Sequence, residues 1–342
     1  MRLVRNLLIA SAIMGAGPAA AAGKLNLYIY AAYAPPELMK AFEKEYDVDV
    51  TVDTFESNEA LLAKMQAGGS SYDLIVTAHN FVDIYFKEGL IQPIGLKEMP
   101  NFKNLDIKFV EADWNPEHDY AVPWQWGTTS FAVDTAVYGG EITSFATLFD
   151  PPKELSGKIG MFKSAADLIT LAEVSLGVPF CTEDSAEMQR VLELLEKQKP
   201  AVKLYGAGSA MREQLVSGEL AMITNWNGQI KRARAEKESI KYIYPSEGVV
   251  GWIDAIAIPK NAPNADNARK FINFVLDPKN MAIVSNHAGY ANPVPASKEY
   301  LNEDLRDAPE IQTPADVKVF PMKTCTGVAA ELEAQLMTEL LE

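Results

Sequence analysis

Apolar positions recur along the chain with two periods, and the switches between them mark out the elements. "KLNLYIYAAY" (24–33) is a short apolar run ending in tyrosine, read as a strand. Pro35-Pro36 then opens "PPELMKAFEKEY", where Leu38, Met39, Phe42 and Tyr46 fall at helical spacing behind an N-terminal proline. "VDVTVDTF" (48–55) alternates and reads as a strand. Ser57 and Asn58 precede the helix "EALLAKMQAG", which Gly68-Gly69 stops. "YDLIVTA" (72–78) is another buried strand, followed by a helix around "FVDIYFKEG". The order β-α-β-α-β predicts a largely parallel sheet with right-handed crossovers. Ligands in such sheets bind beyond the carboxyl ends of the strands, which directs attention to the loops at 31–33 and 78–81.

A second set of strands and helices runs from "GKIGMF" (157–162) to "LAMITNW" (220–226), with its own strand-end loops at 163–167 and 226–228. Between the sets lie two long extended runs without turn signals, "AVPWQWGTTSFAVD" (121–134) and "GWIDAIAIP" (251–259). Each is read as a strand crossing from one domain to the other. After the second, "NADNARKFINFVLDP" places Ala268, Phe271, Ile272 and Val275 on one helix face. A chain of 342 residues is too long for one ordinary core. The expectation is an α/β protein of two lobes around a hinged cleft, 23–128 with 256–303 and 129–255 with 304–342.

Composition narrows the class. Hydrophobic content of 48% and charged content of 23% are those of a soluble globular protein. Residues 1–22 read as a secretory signal peptide: Arg2 and Arg5, an apolar run, then Ala20-Ala21-Ala22 as the cleavage site. The run is shorter than the roughly 20 residues a membrane span needs. The mature chain is therefore expected to be exported, soluble and periplasmic. Export permits disulfides, but Cys181 and Cys325 stand far apart and fit no known framework; two buried thiols is the reading taken, with a bridge left open. His79, His118 and His287 are isolated, so no metal site or cofactor is expected. A net charge of −15 argues against nucleic acid and anionic membrane surfaces, and is compatible with a cationic ligand or simply with solubility.

"GWIDAIAIP" raises a sharper question, because Asp254 interrupts an otherwise apolar strand. Together with "LYIYAAYAPPELMKAFEKEY", "TFESNEALLAKMQAG", "YDLIVTAHNFVDIYFKEGLIQPI", "YAVPWQWGTTSFAVD" and "ITNWNGQI", it closely resembles the periplasmic spermidine/putrescine-binding proteins of ABC importers. The resemblance covers essentially the whole mature chain, in order. It implies a type II periplasmic-binding-protein fold that captures a small amine between closing lobes and hands it to the permease's transmembrane subunits, usually as a monomer. The family site holds ammonium groups in an aromatic box with carboxylates at its ends. An ammonium over a Trp or Tyr face gains up to about 2 kcal/mol when dry, and a facing carboxylate adds a charge-assisted hydrogen bond.

Carried over residue by residue, Trp252 and Asp254 match an aromatic wall and the main amine-binding carboxylate. Two apart on a strand, they share one face. Asp254 could instead be a hinge-strand aspartate held by a backbone amide. Trp226 matches a second wall, or packs in the core. Tyr33 and Tyr290 match further rings. Asp167 lies near the family's second acidic pair, or is a first-turn helix aspartate. Asn80 from the 78–81 loop, Trp126 from the W-G-T-T stretch and Lys323 complete the expected ligand-binding set.

Several positions depart from the family pattern. The loop before Tyr33 is two residues shorter, with Ala31 and Ala32 where the family has a ring and an acid. The next loop reads Ala78, His79, Asn80 and Phe81. Ser164 replaces one acid, and Lys323 stands where glutamine is frequent. A pocket with fewer acids and an added cation would also suit a zwitterionic amine such as γ-aminobutyrate, with Lys323, or less plausibly the helix residue Arg212, meeting its carboxylate. An enzyme is not expected: no G-x-S-x-G, H-E-x-x-H or Cys/His pair is present. A ferric-ion binder of the same fold would need adjacent tyrosines, which are missing. A chemotaxis receptor would share the same sequence features.

Overall fold

The computed structural model describes residues 23–55, 57–68 and 71–342; the signal peptide read over 1–22 lies outside the described residues. The strands are β1 (Gly23–Ile29), β2 (Val48–Thr54), β3 (Leu74–Ala78), β4 (Ile91–Gln92), β5 (Val122–Asp134), β6 (Ile159–Phe162), β7 (Val202–Gly206), β8 (Met222–Trp226), β9 (Ile240–Ile243), β10 (Val249–Pro259) and β11 (Val319–Pro321). The first helices are α1 (Pro36–Tyr46), α2 (Asn58–Gln66), α3 (His79–Lys87), α4 (Ile107–Val110), α5 (Ala146–Phe149) and α6 (Ala165–Leu176). They are followed by α7 (Ser185–Gln198), α8 (Gly208–Ser217), α9 (Asn227–Glu236), α10 (Ala265–Val275), α11 (Pro278–Ala288), α12 (Glu303–Arg306) and α13 (Gly327–Leu341). Local chemistry sets several boundaries. Pro36 starts α1, Ser57 accepts from the Ala60 N–H at the head of α2, and Ser164 accepts from the Asp167 N–H at the head of α6.

The sheet path runs β2-β1-β3-β10-β5-β8-β6-β7. Pairing is parallel within each end, β1 with β2 and β3, and β6 with β7 and β8. It is antiparallel through the middle, where β10 lies between β3 and β5 and β5 meets β8. The parallel pairing expected of the β-α-β-α-β run holds among β1, β2 and β3, and the crossing strands add antiparallel pairings to it. The long strands travel from one end of the molecule to the other and meet the parallel strands in both directions.

Side chains alternate between cores across the first end. Leu25, Leu27, Ile29, Leu74, Val76, Ile256 and Ile258 face a core shared with α1, α10 and α11. Tyr28, Ile75, Ala255 and Ala257 face another, under α2 and α3. A third core is built around β6, β8 and α6–α9, and Leu336 and Leu340 of α13 return to it. The described residues include no helix long and apolar enough to cross a membrane.

The two cysteines are joined, which corrects the reading of two buried thiols. Cys181, in the turn after α6, bonds Cys325, just before α13, across 144 residues of sequence. Their Cα atoms lie 5.1 Å apart. Spacing along the chain carries no information about which loops folding brings within that reach.

Glu173 of α6 is fully buried and neither carboxyl oxygen has a hydrogen-bond partner among the described residues. Burial, reinforced by the charge of Glu333 on α13, pushes its carboxyl up to about 8. A carboxyl raised in the fold contributes stability below its ordinary range and loses it as pH climbs. Glu173→Gln is expected to stabilise the protein by about 2 kcal/mol at pH 9 and to change little at pH 4, measured by urea unfolding at both values. Equal stability of variant and parent at pH 9 would refute this.

Candidate functional site

Asp254 lies at mid-length of β10, where the register sets it opposite Ala78 of β3 on one side and Gln125 of β5 on the other. The register slips immediately afterwards: Ala255 faces Pro123, so Trp124 is an extra residue on β5. A bulge of this kind re-aims side chains, and the fully buried Trp124 ring comes 5.9 Å from Tyr33. Trp252 and Asp254 do share a face, as their spacing predicts; Ala255 belongs to the opposite core. Tyr33, in the short turn after β1, donates its hydroxyl to Asp254 Oδ2 at 2.5 Å. Tyr290 stands edge-on to both Trp252, at 5.0 Å, and Tyr33, at 6.3 Å.

A second carboxylate sits at the head of α6. Asp167 accepts from the Trp226 indole N–H at 3.3 Å, and Trp226 lies 5.1 Å from Phe162. Asp167 is therefore both a first-turn helix residue and the partner of a site ring. The chain links the two groups directly. Asn227, next to Trp226, and the Trp252 ring both lie over Gly127, where a Cβ would come within 2.5 Å of each. Gly228 lies so close to Tyr290 that a Cβ would be 2.3 Å from its ring and 2.7 Å from the Gly289 carbonyl. Gly208 gives the Trp226 ring similar room.

The electrostatics of the two acids are alike. Burial pushes Asp254 up to about 7, opposed by the Tyr33 hydrogen bond. Burial pushes Asp167 up to about 6, opposed by Trp226 and Ser164 and reinforced by the charge of Glu59. Among the described residues, neither carboxylate has an ion-pair partner. His79 accepts from the Ile253 N–H at 3.3 Å, and burial lowers it to about 4, so it is neutral at physiological pH. No cluster of described residues could hold a metal ion.

Tyr33, Trp252, Asp254 and Tyr290 are thus brought together, with Asp167 and Trp226 beside them. Asn80, in the first turn of α3, donates Nδ2 to Thr324 Oγ1 at 2.7 Å, while its Oδ1 is buried without a partner among the described residues. Trp126 is not brought to Asp254. It pairs with Ile253, out of phase with Trp252, and its indole N–H donates to Asn292 O while its ring tilts against Phe109. Lys323 is exposed, with no ion pair among the described residues, and Arg212 pairs with Glu236. Sequence reasoning passed over Glu59 and Thr324, and named 226–228 only as a strand-end loop, where the structure begins α9 at Asn227. Glu59 lies within the "FESNE" stretch already noted, whereas Thr324 signals its place only through packing.

A match to the family described as bacterial extracellular solute-binding protein covers residues 37–314. The spermidine/putrescine-binding periplasmic protein of Salmonella typhimurium is 34% identical over 306 residues, 88% of this chain and 87% of that protein. The protein of the same description from Escherichia coli is 33% identical over 342 residues, covering 98% and 97%. Among solved structures, a candidate spermidine/putrescine ABC transporter protein from Listeria monocytogenes superposes with a TM-score of 0.85 at 28% identity, covering 93% of this chain and 98% of that one.

Gly228→Ala places a methyl group against the Gly289 backbone and the Tyr290 ring. It is expected to cost about 1–3 kcal/mol in urea unfolding. An unchanged unfolding midpoint would show that Tyr290 is free to move aside.

Proposed function

Because the chain belongs to the bacterial extracellular solute-binding protein family and serves an ABC transporter as its solute-binding component, we propose that its cleft takes a polyamine of the putrescine/spermidine class. The family is one of binding proteins rather than enzymes. The observation that carries the reading is the pair of buried carboxylates, Asp254 and Asp167, each held by a neutral donor and set among aromatic rings. A buried charge without a counter-charge is costly. A ligand ammonium supplies the missing partner at each, and its methylenes lie against Trp252, Tyr290 and Trp226. The names of the relatives at 34% and 33% identity agree with this class.

A zwitterionic amine fits less well, because its carboxylate would need a cation. Lys323 is exposed, His79 is neutral, and Arg232 donates to the Ala288 carbonyl. The proposed lobes are 23–128 with 256–303 and 129–255 with 304–342. They would close on the ligand in the periplasm, and the closed form would be the one offered to the permease.

Proton linkage gives the test its sign. Asp254 is raised in the unliganded fold, so it contributes stability at low pH that is lost as pH rises from about 4 to about 7. An ammonium favours the ionised form, so diamine affinity should rise through the same window while the diamine itself stays protonated. Asp254→Asn is expected to weaken putrescine or spermidine binding at least about 100-fold at pH 8 and to raise the melting temperature of the unliganded protein at that pH. Calorimetric titration with putrescine, spermidine and γ-aminobutyrate at pH 5.5 and pH 8 measures both effects. Binding of γ-aminobutyrate with no response to either diamine would overturn the reading.

A further inference from the structure

The C-terminal segment before α13 takes a path that the site as described leaves unexplained. β11 lies parallel to the start of β10, with Val319 opposite Val249 and Pro321 opposite Gly251. Gly251 has no room for a side chain, since a Cβ would be 2.5 Å from Val319. Met322 N–H then donates to Gly251 O at 2.8 Å, one residue before Trp252. Two residues later Thr324 accepts from Asn80 Nδ2 at 2.7 Å, across 244 residues of sequence. The next residue, Cys325, is bonded to Cys181.

These contacts join different cores. Phe320 and Met322 pack on the core that contains α6, and the Phe320 ring lies 6.0 Å from Phe180, the neighbour of Cys181. Asn80 belongs to the turn after β3, whose last residue, Ala78, is the partner of Asp254. The disulfide therefore pins the segment to the loop that follows α6, the helix whose first turn holds Asp167. Thr324 carries that anchorage across to Asn80. With Nδ2 engaged, the amide presents an acceptor, Oδ1, which is buried and has no partner among the described residues. An acceptor is what a ligand N–H requires, and it is unsuited to a carboxylate.

We infer that Thr324 is a positioning residue for the amine site: it orients Asn80 so that the amide oxygen receives a ligand N–H, and the Cys181–Cys325 disulfide holds Thr324 in place. The inference rests on the polyamine reading above. The disulfide then serves recognition as well as stability, because it fixes the strap that carries Thr324 to Asn80. Breaking it frees the end of the strap beyond Met322, and Asn80 loses its orientation without any change in its own sequence neighbourhood.

The test measures putrescine and spermidine affinity at pH 8 for the intact parent, Thr324→Ser, Thr324→Val and the Cys181→Ser/Cys325→Ser double variant, and for the double variant combined with Thr324→Val. Circular dichroism confirms that each is folded at the assay temperature. Thr324→Ser, which keeps the hydroxyl, is expected to bind within about twofold of the parent. Thr324→Val is expected to lose about tenfold, as for one neutral hydrogen bond removed. The cysteine double variant is expected to lose a similar factor, and combining it with Thr324→Val should add little, because both act through one contact. Full affinity in Thr324→Val, or multiplied losses in the combined variant, would overturn the inference. If the intact parent binds neither amine, it is the polyamine reading that fails. Should the double variant unfold, Thr324→Ser against Thr324→Val in the disulfide-bonded protein still decides the role of Thr324.

Discussion

A carboxylate buried at the middle of the central strand β10 constrains everything around it. Asp254 is 8% exposed and its protein partner is a phenol, not a cation. Such a group raises the free energy of the unliganded fold when ionised, so the surrounding structure must hold it there. The register does so from both sides: β3 ends against it at Ala78, and β5 slips by one residue beside it. The strand that bears the charge also passes between the cores, so the cost is borne where the two halves of the molecule meet. Local destabilisation of this kind belongs at functional sites.

Glu173 is an instructive contrast. It too is buried, and burial raises its carboxyl as well. Its surroundings are the packed side of α6 against α13, with the charge of Glu333 nearby. Asp254 and Asp167 are surrounded by Tyr33, Tyr290, Trp252 and Trp226, whose faces can receive a cation. The difference between a proton-holding core residue and a candidate ligand site thus lies in the neighbours, not in the perturbed acid. The net charge of −15 adds a long-range field that would attract cations toward either.

Assembly of the site depends on residues that do nothing chemically. Gly127 leaves room for the Trp252 ring and Asn227, Gly208 for Trp226, and Gly228 for Tyr290. Each is a point where a ring from one element lies on the backbone of another. Together they allow α9 to abut the Asp254 group closely enough for the two acids to share one aromatic surround. The strap at 319–325 is tied by β11 at one end and by the disulfide at the other.

Much of this was legible in the chain itself. Helical periods placed α1 and α10, cap and stop residues placed α2, and the lack of turn signals placed the long strands, because such signals follow from local backbone geometry. The spacing of Trp252 and Asp254 put both on one face for the same reason. What the chain could not reveal is contact between distant segments. The antiparallel course of β5 and β10, the slip at Trp124, the pairing of Cys181 with Cys325 and the reach of Thr324 to Asn80 have no local signature. Lys323 and Trp126 illustrate the converse: each is a candidate by residue type and position, but one is exposed and the other pairs out of phase with Trp252. Residue type and spacing determine which groups are candidates. Only the tertiary fold, through register and long-range packing, decides which of them lie within bonding distance of one another.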